Sequence, residues 1–485
     1  MTAVTATADL RAARPKRLAW LSERGMGASV LVAALAAGFG VILVEITAYI
    51  GQVLQSDPYI GDSGTLAIVV MILSVLLTAV AMYVAAIVTA NTFTTIIAGR
   101  TRRIALMRLI GASARSQREE VARQGLAVGV LGALFGLGGG LMLANIGAIV
   151  GAQLLGDAAP ATFSTLQPMI VLPAVGVALT TWIAAWAGSR RVLDVTPLQA
   201  IGGAVERSGD EVAARPRRHI GALVMLIVGA ALLATGVMVG LVSPLGVIIA
   251  FFGGVLSFTG LAIGAVLVMP PVLRLVGRMF GSGATAKLAA ENALRYPERS
   301  SRMAIGVVMG VTLVTMFAVA LESSKVLMLR QGADADSSFA VMDSFANIMM
   351  LLVAVSAVIA AVGLVNLLTI GVVQRKRELG LLRAIGLTGR QVRRMVLLEA
   401  AHITIAATLL GLVLGVVYGW IAAQSLLGSV PVLPDFNPAG FVWPVVPWVP
   451  VAIIAASTAL LTLVAAVTPT RLATRVQPVE ALAAE

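Results

Sequence analysis

Two stretches of this chain are copies of one basic sequence with regularly spaced apolar residues. Residues 375–393 read RKRELGLLRAIGLTGRQVR, and residues 100–118 read RTRRIALMRLIGASARSQR. Eight of the 19 positions are identical when Arg375 is aligned with Arg100 and no gap is introduced. A second pair of similar stretches, 189–201 and 470–482, follows further along each copy at a slightly larger separation. The chain therefore contains an internal repeat.

The composition places both copies in a membrane protein. Of 485 residues, 59% are hydrophobic and 12% are charged, and the mean hydropathy is +0.97. Soluble domains hold about 45–50% apolar and about 25% charged residues. A membrane helix needs about 20 mostly apolar residues. We therefore expect an all-α polytopic membrane protein with ten transmembrane helices. The segments are 27–50, 65–97, 124–155, 168–188, 220–241, 244–272, 303–321, 345–373, 396–425 and 447–468.

The basic residues predict the orientation of these spans. Of the 35 lysines and arginines, 33 lie in the two tails and in four segments between spans. Those segments are 99–123, 189–219, 274–302 and 374–394. Ten spans place all of them on one side, which the positive-inside rule makes cytoplasmic. We expect a multi-pass protein of the cell (inner or plasma) membrane with both termini in the cytoplasm. Because topology accounts for the net charge of +12, nucleic acid is not an expected partner.

The repeat divides the chain into three parts. Residues 1–201 form the first copy with spans one to four, and residues 284–485 form the second with spans seven to ten. Residues 202–283 form a connector with spans five and six. Both copies begin and end on the same side, so the predicted symmetry axis is normal to the membrane. We expect a pseudo-dimer, with one chain per complex.

Each copy carries apolar residues at every third position of a short helix between its second and third spans. They are Leu379, Leu382 and Ile385 in the second copy and Ile104, Met107 and Ile110 in the first. One interpretation is a basic loop that anchors the topology on membrane lipid. The same pattern in both copies favours the other interpretation, a helix that inserts into a groove on a partner protein.

Local signals end this helix and start the next one. Gly386 and Gly111 follow the last apolar residue, where a helix C-cap favours a residue that tolerates positive φ. Thr388 and Gln391 have the spacing of a capping box, and Ser113 is the weaker counterpart of Thr388. The sequence predicts a short helix, a sharp break and a helix that enters the membrane.

The stretch from Gln374 to Ala401, QRKRELGLLRAIGLTGRQVRRMVLLEAA, resembles the signature of FtsX/MacB-type ABC transporter permeases. Residues 292–302, NALRYPERSSR, resemble the arginine-rich elbow before the first span of that family's repeat. The endings TPLQAI and QPVEAL are similar to the family's usual ending. The resemblance is looser in the first copy, where Arg103 replaces Glu378 and Ala105 replaces Gly380.

The resemblance implies that segments 100–112 and 375–387 are coupling helices that dock onto ATPase subunits. Besides the apolar residues above, the implied contacts are Arg102, Arg108, Gly111, Arg377, Glu378, Arg383 and Gly386. Two such helices imply two copies of an ABC ATPase subunit.

The ATPase itself must be a separate chain. A phosphate-binding P-loop needs a glycine followed by lysine, and none of the four lysines follows a glycine. ATP and magnesium are therefore expected on the partner, and this chain is expected to be a transporter subunit with no catalytic, metal or cofactor residues. The absence of cysteine and the presence of only two histidines agree with this.

The predicted function is the permease of an ATP-driven ABC transporter that exports or extracts a hydrophobic or amphipathic substrate: a drug, an antimicrobial peptide or a lipid. The predicted loops at 51–64 and 322–344 are too short to fold as external domains. The alternative is a non-transporting subunit that relays ATPase strokes to an extracytoplasmic partner, such as a cell-wall hydrolase or a sensor kinase.

Carboxylates inside the spans are candidate functional groups. Glu45 and Glu322 have similar predicted depths and are candidates for the mouth of a substrate path. The alternative for both is a side chain that reaches the outer interface. Glu399 lies near the inner interface, where we expect a solvated structural role.

Overall fold

The computed structural model describes residues 26–55, 101–155, 168–189, 216–279, 283–295, 297–330, 381–432, 437–453 and 455–460, together with five residue pairs between 71 and 87. The first half of this part contains α1 (Met26–Gln55), α2 (Thr101–Leu109), α3 (Ala114–Leu155), a 3₁₀ turn (Pro168–Ile170), α4 (Val171–Gly188) and α5 (Pro216–Gly240). The second half contains α6 (Gly246–Ile263), α7 (Ala265–Gly277), α8 (Ala284–Arg295), α9 (Pro297–Arg330) and α10 (Gly389–Leu427).

Seven helical segments of the described part are long and apolar enough to cross a membrane. They are α1, α3, the segment Pro168–Gly188 that contains α4, α5, α6, α9 and α10. All seven coincide with predicted spans. The predicted spans 65–97 and 345–373 lie wholly or mostly outside the described residues, and 447–468 lies partly outside them, so the total of ten stays a prediction.

The predicted sixth span, 244–272, is two helices rather than one. α6 ends at Ile263, and α7 begins after Gly264 and contains Pro270 and Pro271. Each proline lacks the N–H that would bond the carbonyl four residues earlier. Ser301 of α9 donates a 3.1 Å hydrogen bond to the Ala265 carbonyl at this break. The residues after the break pack against α9 and α10.

The largest apolar cluster of the described residues joins α6, α7, α9 and α10. A second cluster joins α1, α3 and α4. The connector helices α5 and α6 pack against each other and also against α10. The connector is therefore packed on the second repeat, next to its longest helix.

Glycines bring two pairs of helices into close contact. On α3, Gly136 and Gly140 face α1; a β-carbon added at Gly136 would lie 2.6 Å from the Ala37 Cβ. On α10, Gly411 and Gly415 face α9 in the same way; a β-carbon at Gly411 would lie 2.8 Å from the Val311 Cβ. The alignment of the two repeats pairs the two glycines of α3 with the two glycines of α10, so both copies use the same small-residue contact.

The chain after α10 is held against that helix by polar contacts. Pro431–Val432 and Asn437–Pro438 form a two-residue antiparallel pair. The Trp420 Nε1 of α10 donates to the Val442 carbonyl at 2.9 Å, and the Val442 amide donates to the Gln424 Oε1 at 2.7 Å. These bonds satisfy buried backbone groups where the chain leaves the helix.

We predict that Gly136→Leu destabilises the protein by about 1–3 kcal/mol, because the larger side chain forces α1 and α3 apart. Gly138→Leu is the matched control, since Gly138 is exposed on the same helix and a β-carbon there meets nothing within 4 Å. Thermal unfolding in one detergent compares the two variants. Equal unfolding temperatures for both would contradict the contact.

Candidate functional site

The first predicted break has the geometry of a Schellman C-cap. α2 ends at Leu109, and Gly111 has a φ of 103°. The Ala112 amide donates to the Met107 carbonyl at 2.9 Å, and the Gly111 amide donates to the Arg108 carbonyl at 3.2 Å. These are the two bonds that define the motif. The Ser116 amide then donates to the Ser113 Oγ at 3.0 Å, which caps the start of α3.

The second break repeats this geometry at the aligned position of the second copy. Gly386 has a φ of 115°, the Leu387 amide donates to the Leu382 carbonyl at 3.1 Å, and the Gly386 amide donates to the Arg383 carbonyl at 3.1 Å. Thr388 and Gln391 form the predicted reciprocal capping box at the start of α10. The predicted break and both caps are confirmed.

Each segment presents an exposed apolar pair one helical turn apart. Leu106 is 49% and Ile110 is 80% exposed; at the equivalent positions Leu381 is 51% and Ile385 is 71% exposed. Met107 is also exposed, at the edge of the first pair. Both pairs are exposed apolar surface within the described part of the chain.

Leu382 lies on the other side of its segment. It is half-buried and packs with Leu387 against Ala289 of α8 and against Val392 and Met395 of α10. The contact between Leu387 and Leu382 is the apolar contact that usually accompanies a Schellman cap. Of the predicted stripe, Ile385 is therefore exposed and Leu382 is an internal contact.

The remaining predicted residues are only partly covered. Arg108 and Arg383 are half-buried at equivalent positions, and Gly111 and Gly386 are exposed. Arg377, Glu378 and Leu379 lie outside the described residues. Arg102 and Ile104 lie in α2, but their side chains are not among those described.

A buried polar contact connects α8 to α10 behind the second segment. The Asn292 Nδ2 of α8 donates to the Glu399 Oε2 at 2.6 Å. Glu399 lies on α10, after the first turns of that helix. One turn further, His402 Nε2 lies 2.7 Å from the Leu273 carbonyl of α7. Glu399 is buried, so the expectation of a solvated carboxylate is wrong; the Asn292 amide replaces water as its donor.

In the first copy, different residues connect the helix after the break to a neighbouring helix. The Arg118 guanidinium lies 4.1 Å from the centre of the Trp186 ring, and its Nε donates to the Ser189 Oγ at 3.3 Å. These contacts join the start of α3 to the end of α4. The matching Arg393 is exposed on α10. A cation–π contact therefore joins α3 to α4 in the first copy. In the second copy, a hydrogen bond between an amide and a carboxylate joins α8 to α10.

Glu45 and Glu322 differ in their surroundings. Glu45 is 2% exposed on α1, and neither carboxylate oxygen has a hydrogen-bond partner within the described part of the chain. Glu322 is half-buried on α9. Glu45 is therefore enclosed by protein, where an ionised carboxylate is costly.

These features define a multi-pass helical membrane protein with two similarly built helix-break-helix segments beside its spans. The FtsX-like permease C-terminal family matches this chain in two regions, residues 75–197 and 350–478, which together cover more than half of it. The chain therefore belongs to that permease family. The two matching regions contain the two segments.

One similar protein is the ABC transporter permease YtrF of Bacillus subtilis (strain 168). The two chains are 35% identical over 60 residues, which is 12% of this chain. The match spans 14% of the length of that relative.

Sequence reasoning did not identify the contacts of Asn292, Trp186 and Ser189. Each of the three is a single polar or aromatic residue near a span end, and its partner lies on another helix far along the chain. Only the elbow resemblance drew attention to the stretch that begins with Asn292. Spacing along one helix carries no signal for such pairs.

We predict that Asn292→Ala destabilises the protein by about 1–3 kcal/mol, because it removes a hydrogen-bond donor from a buried carboxylate. Asn145→Ala is the control, since Asn145 is exposed on α3 and donates to a carbonyl of its own helix. Urea or thermal unfolding measures both. The contact has no structural role if Asn292→Ala unfolds like Asn145→Ala.

Proposed function

We propose that this chain is the permease of an ATP-driven exporter or extractor of hydrophobic or amphipathic substrates, with two separate ATPase subunits. The proposal rests on two exposed apolar pairs at equivalent positions. They are Leu106 with Ile110 in the first copy and Leu381 with Ile385 in the second. They lie in the two family-matching regions, next to the same helix break. Two similar exposed pairs support a proposal of two similar ATPase subunits.

The surroundings of the second segment suit it to transmit force. Its outer side offers Ile385 to a partner, and its inner side packs through Leu382 on α8 and α10. The break at Gly386 separates it from the long α10, which runs for 39 residues. A push on the segment therefore acts on the base of α10 and on α8, and not along one continuous helix.

Export is favoured over signalling alone by an internal carboxylate and by apolar space between the helices. A subunit that only relays strokes to an outer hydrolase or kinase needs neither. ATPase activity stimulated by added substrate supports export, whereas stimulation only by an extracytoplasmic protein supports the signalling alternative.

Glu45 is proposed as a group that holds the positive charge of an amphipathic substrate, and Glu322 as a second carboxylate at the mouth of the path. The burial of Glu45 and its lack of a hydrogen-bond partner within the described residues support this role. A cationic group brings the countercharge that the carboxylate lacks.

We predict that Ile385→Asp lowers the affinity for the ATPase about 5–150-fold, the effect of about 1–3 kcal/mol at an interface anchor. The new charge lies on the contact and not in a span, so membrane insertion is unaffected. Co-purification and permease-stimulated ATP hydrolysis measure the effect. Ile110→Asp should act equally if both segments dock.

Gly283→Asp is the matched control for Ile385→Asp. It adds the same charge at an exposed residue before α8, where a β-carbon meets nothing within 4 Å. The docking proposal fails if Ile385→Asp retains as much ATPase as Gly283→Asp. The segment would then serve as a topology anchor on lipid.

We predict opposite effects of Glu45→Gln on stability and on transport. Removing a buried charge without a partner should stabilise the free protein by about 1 kcal/mol or more. Stimulation of ATPase activity by a cationic amphiphile should fall about tenfold, while stimulation by its neutral analogue stays unchanged. Glu322→Gln should leave the unfolding temperature unchanged. Equal responses of wild type and Glu45→Gln to the cationic compound would remove Glu45 from the path.

A further inference from the structure

A cavity of about 310 Å³ lies between the connector and the second repeat. Its walls come from α5 and α6 on one side, from α9 and α10 on the other, and from Leu76, Val80 and Tyr83 of the first repeat. Phe251, Phe258, Met309 and Tyr418 are among the lining residues. Three separate parts of the chain thus line one space.

The lining carries no charged side chain among the residues that the structure describes. Its hydroxyl groups are largely paired with the protein itself. Tyr83 Oη lies 2.8 Å from Thr259 Oγ1, and Tyr418 Oη lies 2.9 Å from Ser257 Oγ. An ion or a strongly hydrated group would find no countercharge there.

Thr312 is the exception to this pairing. It lines the cavity on α9 and is 3% exposed, and its Oγ1 makes no hydrogen bond within the described part of the chain. A buried hydroxyl of this kind is normally satisfied by a partner. The Oγ1 is itself buried, so Thr312 adds no polar group that a molecule in the cavity could reach.

The cavity is long for its volume. On α9 its lining runs from Met309 to Ser324, about 22 Å along a helix axis. Its volume is only about twice that of an engineered cavity of roughly 150 Å³ that holds one benzene. A space this long and narrow suits an extended chain better than a fused ring system.

We propose that this cavity binds one hydrocarbon chain of an amphiphile, whose polar or charged group stays outside it. The source of the chain is either a membrane lipid or a free long-chain amphiphile. This inference rests on the proposed function, because it names the apolar part of the exported or extracted substrate.

The test uses photolabelling of the full-length chain in phosphatidylcholine nanodiscs, without ATP or ATPase. In one arm a small fraction of the phosphatidylcholine carries a diazirine in one acyl chain. In the other arm the nanodiscs are unlabelled and diazirine-bearing palmitic acid is added. Mass spectrometry locates the adducts. Phe251 lines the cavity and its neighbour Phe252 is exposed, so labelling at Phe252 is an internal reference.

Gly254→Leu fills the cavity, since a β-carbon at Gly254 meets nothing within 4 Å. Each methylene displaced from an apolar site weakens binding about fourfold, so two or three should lower labelling at Phe251 at least about tenfold. Labelling at Phe252 should not change. Gly138→Leu on the exposed face of α3 is the matched control and should label like wild type.

Unlabelled palmitic acid should lower labelling at Phe251 in the palmitic acid arm and leave Phe252 unchanged, and this measurement needs no variant. Labelling at Phe251 in the lipid arm assigns the chain to a membrane lipid, and labelling there only with palmitic acid assigns it to a free amphiphile. The site is overturned if Phe251 is unlabelled in both arms, or if neither Gly254→Leu nor competition reduces its labelling.

The outcome is separate from that of the docking experiment. A chain that binds ATPase but fails to label at Phe251 loses the cavity and keeps the proposed function. A chain that labels at Phe251 but binds no ATPase keeps the site and loses the transport role.

Discussion

The close approach of α9 and α10 is the contact on which the other features depend. Glycines at 411 and 415, and again at 419, remove the side chains that would separate the two helices. Lipid offers no hydrophobic driving force between helices, so such contacts rely on dense packing of the backbones. With this contact in place, the first turns of α10 follow the Gly386 break, and the middle of α10 carries Tyr418, which lines the cavity. One helix thus connects the helix-break-helix segment to the apolar space.

The connector gives this chain a feature that a simple pair of repeats would lack. α5 and α6 pack on α10, and Ser257 of α6 bonds Tyr418 across the contact. The break at Gly264 then lets α7 turn onto α9 and α10, where the Leu273 carbonyl meets His402. The second repeat is therefore supported on a side for which the first has no described counterpart.

The two copies share the same backbone break, but different side-chain contacts join their helices. Both have a Schellman break at a glycine with positive φ and an exposed apolar pair beside it. Arg118 stacks on Trp186 in one copy, whereas Asn292 bonds Glu399 in the other. Backbone geometry is dictated by a few local residues, so it survives divergence of the copies. The side-chain contacts between helices depend on pairs of residues that must change together.

The sequence alone determined the helical membrane class, the seven spans that the structure describes, the glycine breaks and the caps. These follow from rules that act over a few residues: apolar length, the φ freedom of glycine, and the reach of a threonine to the third amide. Tertiary structure decided that Leu382 faces inward while Leu381 and Ile385 face outward, that Glu399 is buried, and that span six breaks after Ile263. The tertiary structure also brings together the residues that line the cavity, among them Phe251 and Thr312. Those outcomes depend on which helix lies beside which, because the free energy of burying a side chain is set by neighbours distant in the chain.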